Sequence, residues 1–482
     1  ASDVYKRQAL HVTYNHHEQA SAIAAEAYAR IDNKIAALCV TTGPGGTNAL
    51  TGVVGGWLDS IPMFVISGQV RYDTTARYAA QFTDGLPLRA VGDQEYDITK
   101  SVAPMTKYAT MLEDPNQIRY VLEKAWHLAT TGRPGPVLID IPKDVQIAET
   151  EYEPAAGEAL IPKLSMKHPT VQLRLEGEAL ERYKVKAAPR LEQAARLIAE
   201  AQKPLIYCGG GVILSGAERE LAAFADLVDA PVVSTLMGLG AVPADNPRML
   251  GMLGMHGTHA ANIAMQRCDL LIAVGVRFSD RALGNAETFA AQAKVLHIDI
   301  DRAEINKNVS TTLHITGDAR VVLELLLSRV AQKANGQWMQ QARSMMEEYL
   351  SDELFEPRKI LRQMAAIAPE ITVATDVGQH QMWTAQHFPF LHPRQLITSG
   401  GLGTMGFGLG AAMGAAASDP AGRPVALVTG DGSFRMNLTE LSTIGYYGIP
   451  VIVIIFNNGT LGMVRQWQTL FFGHRYSQTT LD

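Results

Sequence analysis

Cysteine is scarce in this chain, with three among 482 residues. Cys39, Cys208 and Cys268 stand far apart in apolar surroundings, which argues against a disulfide framework and a cysteine-built zinc site. Three buried thiols in a reducing, cytoplasmic compartment are expected. Long apolar runs are missing too. The stretch Val451–Phe456 has the length of a strand, far short of a membrane span. Nor does one sign of charge dominate: 42 Lys and Arg against 48 Asp and Glu leave a net charge of −6. That balance gives no electrostatic footprint for nucleic acid or an acidic membrane, so any attraction for an anionic substrate must be local. No short-period repeat is present. The start, Ala1 to Gln8, has neither Met nor a signal-peptide pattern, and reads as a truncated or foreign leader.

What the chain does have is a globular composition, 47% hydrophobic and 19% charged, and a length that suggests about three domains. Three segments repeat a rhythm of short apolar strands and amphipathic helices, the pattern of parallel α/β layers. The first has candidate strands at Ile35–Val40, Pro62–Ser67 and Val137–Asp140, with helices at Glu18–Ile31 and Asn116–Thr130. The second has strands at Pro204–Tyr207, Pro231–Ser234, Leu270–Val274 and Val295–Ile300. The third has strands at Ile371–Thr375, Val425–Val428 and Val451–Phe456. The predicted fold class is α/β, with three doubly wound parallel-sheet domains at 1–147, 190–335 and 356–482. A charged, proline-containing linker is expected over 148–189, with Pro154, Pro162, Pro169 and Pro189. A second break is expected between the amphipathic stretch Trp338–Leu350 and Pro357.

The strongest motif is Gly430-Asp431-Gly432-Ser433, followed by a helical stretch Asn437–Tyr447, the strand Val451–Phe456 and then Asn457-Asn458. A strand–turn–helix–strand of that length brings both strand ends to one carboxyl edge, where α/β proteins bind ligands. The glycines allow backbone N–H groups to approach a phosphate, and a helix start favours negative charge. A carboxylate and an amide oxygen are hard ligands suited to Mg²⁺ completed by diphosphate oxygens. Gly-Asp-Gly alone would be an ordinary turn; the whole spacing favours the cofactor reading.

This pattern resembles the thiamine diphosphate motif, and its surroundings resemble the acetohydroxyacid synthase family. The resemblance rests also on Gly378-Gln379-His380-Gln381-Met382, on Ser399 to Gly408 and on Leu461 to Gln468, and runs from about Tyr14 to the last residues. It implies a pyrimidine-binding, a central Rossmann-like and a diphosphate-binding domain. It implies Asp431, Asn458 and the backbone oxygen of Thr460 as Mg²⁺ ligands. Gln379, His380, Gly432 and Ser433 would hold the diphosphate, and Met405, with Gly403 nearby, would bend the cofactor. On composition alone Met405 would be a gap-filling core residue; its glycine-rich setting suggests close approach to a ligand.

Glu18, in Asn15-His16-His17-Glu18-Gln19-Ala20-Ser21, would by itself be a helix-start carboxylate favoured by the dipole. A zinc reading fails because Ser21 stands where a second histidine is required. The resemblance makes Glu18 the acid that hydrogen-bonds the cofactor pyrimidine and starts catalysis, best done when buried against the cofactor. Gln94 resembles a catalytic glutamine beside it. Asp93 stands where the family has Phe, Arg71 where it has Pro, and residues are inserted between Val70 and Gln94. These departures fall on the substrate channel and keep a second reading open: another thiamine diphosphate-dependent 2-oxoacid carboligase, decarboxylase or oxidase.

In the middle segment, glycine-rich strand ends at Gly209-Gly210-Gly211 and Gly275, with Asp299 after a strand, suit a nucleotide, although bare glycine turns are common. The resemblance assigns FAD to this domain, touched by Met255, His256, Gly275, Arg277, Asp299, Asp318 and Arg133, with no redox part in the main reaction. His256 and His259 lack the further ligands that a metal pair would need. Arg281 would recognise the second 2-oxoacid's carboxylate; otherwise it is a surface partner of Asp280. Met463 and Trp467 would line the acceptor pocket, or pack in a core. Lys143 would stand at the channel mouth, or in solvent. The implied activity is acetolactate synthesis in branched-chain amino acid biosynthesis: pyruvate is decarboxylated and its hydroxyethyl unit joined to pyruvate or 2-oxobutyrate. The implied assembly is a homodimer or larger, with each site built from two chains, and a small regulatory subunit. Relatives start earlier and continue past Asp482, so an incomplete, inactive fragment is expected.

Overall fold

The computed structural model describes residues 11–84, 86–150, 175–349, 356–419 and 421–481. Three parallel sheets follow one another along the chain. The first holds β1 (Ala37–Val40), β2 (Met63–Gln69), β3 (Tyr108–Met111) and β4 (Pro136–Pro142), in the order β1-β2-β4-β3. The second holds β5 (Pro204–Cys208), β6 (Val232–Ser234), β7 (Met249–Met252), β8 (Leu270–Val274), β9 (Lys294–Asp299) and β10 (Leu313–Thr316), in the order β10-β9-β8-β5-β6-β7. The third holds β11 (Thr372–Thr375), β12 (Leu396–Ile397), β13 (Val425–Gly430) and β14 (Val451–Phe456), in the order β12-β11-β13-β14. Three α/β layers agree with the sequence reading. The strands it missed, β3, β7, β10 and β12, all lie at sheet edges and run only two to four residues, too short to show a clear apolar period.

The chain divides into two compact units: residues 1–171, 373–378 and 397–482 in one, 172–372 and 379–396 in the other. In the first unit, helix α1 (Glu18–Asp32) is alanine-rich and is flanked by α2 (Leu50–Leu58) and a glycine- and alanine-rich helix, Phe407–Ser418. That last helix carries no charged residue and is buried almost all round, as an all-apolar helix must be. Space decides how it meets α1. A methyl group on Gly414 would fall 2.0 Å from the carbonyl oxygen of Ala24, and one on Gly410 would fall 3.0 Å from that of Ala20. On the other side of α1, a methyl group on Gly52 would meet the Ala22 methyl at 2.5 Å. The core that results joins Ile23 and Ala27 to Phe407, Ala411, Ala415, Val425 and Leu427.

A buried ion cluster marks the far end of α1. Arg30 binds Glu26 on its own helix and Asp59 Oδ2 at 2.6 Å, and Asp59 Oδ2 also accepts the Gly400 amide at 3.1 Å. Burial raises the Glu26 carboxyl to about 7, since one guanidinium must serve two carboxyls in a dry site.

In the second unit, Trp338 on the helix Gly336–Tyr349 is buried and donates its indole N–H to the Pro204 carbonyl at 2.9 Å. Here the structure corrects the linker expected over 148–189, because its last part is helical: Gly177–Glu200 is one helix with Pro189 inside it. Proline removes one helical hydrogen bond, but the carbonyl left without a donor is that of Val185, an exposed residue, so water can meet the loss. Pro154, Pro162 and Pro169, and the break before Pro357, lie outside the described residues. A second correction concerns the thiols. Cys208 and Cys268 are buried, but Cys39 is exposed, because it points outward from the edge strand β1.

The helix contact yields a stability prediction. Gly414→Ala forces the Ala24 backbone away and should cost about 1–3 kcal/mol of overpacking, read as a lowered thermal midpoint. An unchanged midpoint would show that α1 does not need this approach.

Candidate active site

The third sheet presents the chemistry that the motif suggested. β13 and β14 pair in parallel with Gly430 opposite Phe456, so Asp431 and Asn457-Asn458 leave the sheet at one carboxyl edge. Asp431 is buried, and its Oδ1 faces the Asn458 amide at 3.4 Å. The Asn458 side-chain oxygen accepts the Thr460 amide at 3.1 Å and hydroxyl at 3.3 Å. Thr460 in turn pairs antiparallel with Thr480, which braces the loop. Ser433 is buried and donates to the Val377 carbonyl at 2.8 Å. A methyl group on Gly432 would fall 2.6 Å from the end of the Leu461 side chain, which could turn aside, so packing alone does not demand glycine there.

The turn before helix Phe407–Ser418 is held from below. Asp376, at the end of β11, accepts the amides of Gly406 at 2.7 Å and Phe407 at 3.1 Å. Burial raises its carboxyl to about 6, against the pull of those N–H groups. Ser399 Oγ accepts the amides of Gly403 and Thr404, each at 3.1 Å. Gly403 and Gly406 adopt φ of +71° and +86°, a region that side chains disfavour. The half-buried Met405 thus rides on a turn fixed at both ends.

The first sheet gathers the other half of the predicted set. Glu18 opens α1 as expected; its carboxylate accepts Asn48 Nδ2 at 3.0 Å and lies against Gly45. Both belong to the short helix Pro44–Asn48, which the loop Thr41 to Gly43 joins to β1. The same loop holds Gln94, whose carbonyl accepts the Thr42 hydroxyl at 3.0 Å and whose φ is +61°. Glu18 and Gln94 are therefore brought to one segment, which the sequence reading passed over although Thr41-Thr42-Gly43-Pro44-Gly45-Gly46 after a strand was a usable signal. Behind it, Gln69 accepts from Thr42 at 2.9 Å and donates to Asp140 at 3.0 Å and to the Tyr96 carbonyl at 2.8 Å. Burial pushes the Asp140 carboxyl up to about 7. Glu95 is buried and caps the inserted stretch, accepting the amides of Ala76 at 2.9 Å and Val91 at 3.0 Å. Arg71 pairs with Asp73 in solvent, and Lys143 is exposed. Arg133 donates to Ser60 at 2.7 Å.

Met463 and Trp467 share a face of the helix Gly462–Phe471, with Trp467 against Phe471 at 5.2 Å between ring centres. No residue of that helix is buried, so Trp467 is not a core residue in this chain.

In the second unit, Gln379 and His380 open the helix Gln379–His387, with His380 buried. Gly209, Gly211 and Gly275 meet backbone to backbone where β5 and β8 end: a methyl group on Gly209 would fall 2.1 Å from the Gly275 oxygen. Their smallness is explained by that approach. Asp299 is buried and accepts the Asp301 amide at 2.8 Å. Asp318 acts as a helix N-cap, accepting from the Val321 amide at 3.1 Å and from Ser215 at 2.8 Å. Arg277 is partly exposed and Met255 exposed. Burial and the Arg281 charge hold the His256 imidazole below its ordinary range. Arg281 lies in solvent 3.7 Å from Asp280.

The donor set of the first unit fits a magnesium diphosphate. Among the described residues no three His, Cys, Asp or Glu side chains gather as a metal cage. One carboxylate and one amide oxygen at a sheet edge are what Mg²⁺ takes when phosphates supply the rest.

Comparison with known families bears on the same regions. The description "Thiamine pyrophosphate enzyme" (the diphosphate by its other name) matches in three places: its N-terminal TPP binding domain over residues 2–88, its central domain over 191–326 and its C-terminal TPP binding domain over 376–482. Fold and matches together define a thiamine diphosphate enzyme. A probable acetolactate synthase large subunit of Methanocaldococcus jannaschii is 40% identical, over 99% of this chain and 78% of its own length. An acetolactate synthase of Arthrospira platensis is 43% identical, over 97% and 78%. The acetolactate synthase isozyme 2 large subunit of Escherichia coli is 42% identical, over 96% and 79%. The chain belongs to the acetolactate synthase large-subunit family.

Asp140 gives a pH prediction. Its folded value, about 7, lies above the ordinary carboxyl value, so the folded state keeps a proton that the unfolded chain releases. Stability from this group is full at acid pH and is lost as pH rises from about 4 through 7. Asp140→Asn should flatten that decline in thermal midpoint between pH 5 and 8. An equally steep decline in the variant would assign the slope to other acids.

Proposed function

We propose that this chain is the catalytic subunit of an acetolactate synthase. It decarboxylates pyruvate and joins the two-carbon unit to pyruvate or 2-oxobutyrate, in branched-chain amino acid biosynthesis. The observation that carries the reading is the side-by-side exit of Asp431 and Asn458 from parallel strands β13 and β14. Asp431, Asn458 and the Thr460 carbonyl would hold Mg²⁺, and Gly432, Ser433, Gln379 and His380 the diphosphate. Thiamine diphosphate, when bound, supplies the electron sink for carbon–carbon cleavage and formation.

The chain's own residues orient that group and move protons. Met405, on its pinned turn, would support the bent cofactor. Glu18 would hydrogen-bond the pyrimidine ring and exchange a proton with it, and Gln94, bonded to the same segment after β1, would face the reacting end. Arg281 would bind the acceptor's carboxylate through its guanidinium fork. Met463 and Trp467 would line the acceptor pocket and favour a slightly larger acceptor, and Lys143 would stand at the channel mouth. FAD is the nucleotide proposed for the middle layer, near Met255, His256, Gly275, Arg277, Asp299 and Arg133. Asp318 joins this set; it also caps a helix and accepts the Ser215 hydroxyl, and its two oxygens keep further lone pairs for the nucleotide. A homodimer or larger oligomer with a small regulatory subunit is proposed as the working assembly; the names of the M. jannaschii and E. coli relatives, as large subunits, support it.

Incubation with pyruvate, Mg²⁺ and thiamine diphosphate should yield acetolactate. Acetaldehyde or acetate as the main product would favour a decarboxylase or oxidase instead. Glu18→Gln should lower kcat by about 10²–10⁴, the usual worth of a placed acid–base group. Undiminished turnover in that variant would remove Glu18 from the mechanism.

A further inference from the structure

Glu440, the first residue of the helix Glu440–Tyr447, has no assigned role, yet its side chain is fully buried and receives four donors. Its Oε1 accepts the His17 amide at 2.9 Å. Its Oε2 accepts the His16 amide at 3.4 Å, Asn15 Nδ2 at 3.2 Å and the Thr443 hydroxyl at 2.8 Å. The same helix closes on this segment at its other end, where the Tyr447 hydroxyl accepts the Tyr14 amide at 3.1 Å. These donors precede Glu18 directly in the chain. His17 is also the N-cap of α1, with its ring accepting the Gln19 amide at 3.1 Å. Backbone amides just before a helix have no partner within it, and a buried one left unsatisfied is costly. Glu440 satisfies two of them with one carboxylate, and so fixes the chain immediately before Glu18.

We propose that Glu440 is a positioning residue for Glu18: a carboxylate following the Gly-Asp-Gly turn sets where the acid of the first layer stands. The proposal rests on the reading of Glu18 given above. Glu440 acts through the backbone and touches neither substrate nor cofactor. In Glu440→Gln, one oxygen still accepts from His17, but the new NH₂ faces the His16 amide and Asn15 Nδ2, which only donate, leaving the Thr443 hydroxyl as its one acceptor. The segment should loosen and Glu18 should lose its aim.

The test uses Glu440→Gln, Glu18→Gln and the double variant in the magnesium- and thiamine diphosphate-loaded enzyme. In Glu440→Gln, kcat and the exchange rate of the cofactor's C2 proton with solvent should fall together, by on the order of 10–100-fold, as for a misplaced catalytic group. KM for pyruvate should stay within about twofold, because only an interaction used in the proton step is lost. Amide hydrogen exchange over residues 14–18, measured without cofactor, should quicken. The double variant should be no slower than Glu18→Gln alone, because Glu440 works only through that residue. If Glu18→Gln slows C2 exchange while Glu440→Gln leaves it unchanged, the positioning role is wrong and the role of Glu18 stands. If Glu18→Gln itself leaves C2 exchange unchanged, the reading of Glu18 fails, and this proposal with it. Further loss in the double variant would make Glu440 a general structural residue and would also overturn the proposal.

Discussion

The approach of α1 to its two neighbours is the constraint on which the first unit depends. Gly52 meets it on one side, Gly410 and Gly414 on the other, and the limiting atoms opposite the last two are backbone oxygens. Packing this close fixes the helix along its length. Its two ends are fixed by charge: at the start by the Glu440 carboxylate on the amides of His16 and His17, and at the end by Arg30 with Glu26 and Asp59. Because Glu18 begins this helix and Gly400 hangs on Asp59, the acid and the loop leading to Met405 take their positions from the same rigid element.

Several buried acids share a pattern. Glu26, Asp140 and Asp376 are all raised by burial, and each is engaged with the protein's own groups. Asp376 holds the start of a helix, Asp140 holds Gln69 behind the Glu18 loop, and Glu26 completes the Arg30 cluster. A raised acid in a cleft is often a sign of catalysis. In this unit the raised acids support the loops that carry the candidate catalytic residues, and the low dielectric that shifts them also strengthens the hydrogen bonds they accept.

The layers were legible in the sequence because central parallel strands are buried on both faces and read as unbroken apolar runs. Leu270–Val274, buried throughout, was found to the residue; so was Val451–Phe456, an edge strand whose run is apolar although none of it is buried. Edge strands such as Leu313–Thr316 alternate in burial and gave no such signal. The Asp431–Asn458 spacing was legible because it is local, spanning one strand–helix–strand unit. Glu440, Asp140 and Asp376 were not, since an acid whose partner lies on another element, from about 30 residues away for Asp376 to more than 400 for Glu440, leaves no mark on its own neighbourhood. The proline at 189 misled for a related reason: the carbonyl it leaves without a helical donor belongs to the exposed Val185 and can meet water, and exposure is not written in the sequence.

The contact among Gly209, Gly211 and Gly275 has a consequence for how the middle layer can vary. Most tight packings tolerate a bulkier residue if a facing one shrinks in exchange. Here both sides are already glycine and the atoms that touch are main chain, so no second change elsewhere can make room. These positions are locked as a set, and variation in that crevice is confined to the side chains around its rim.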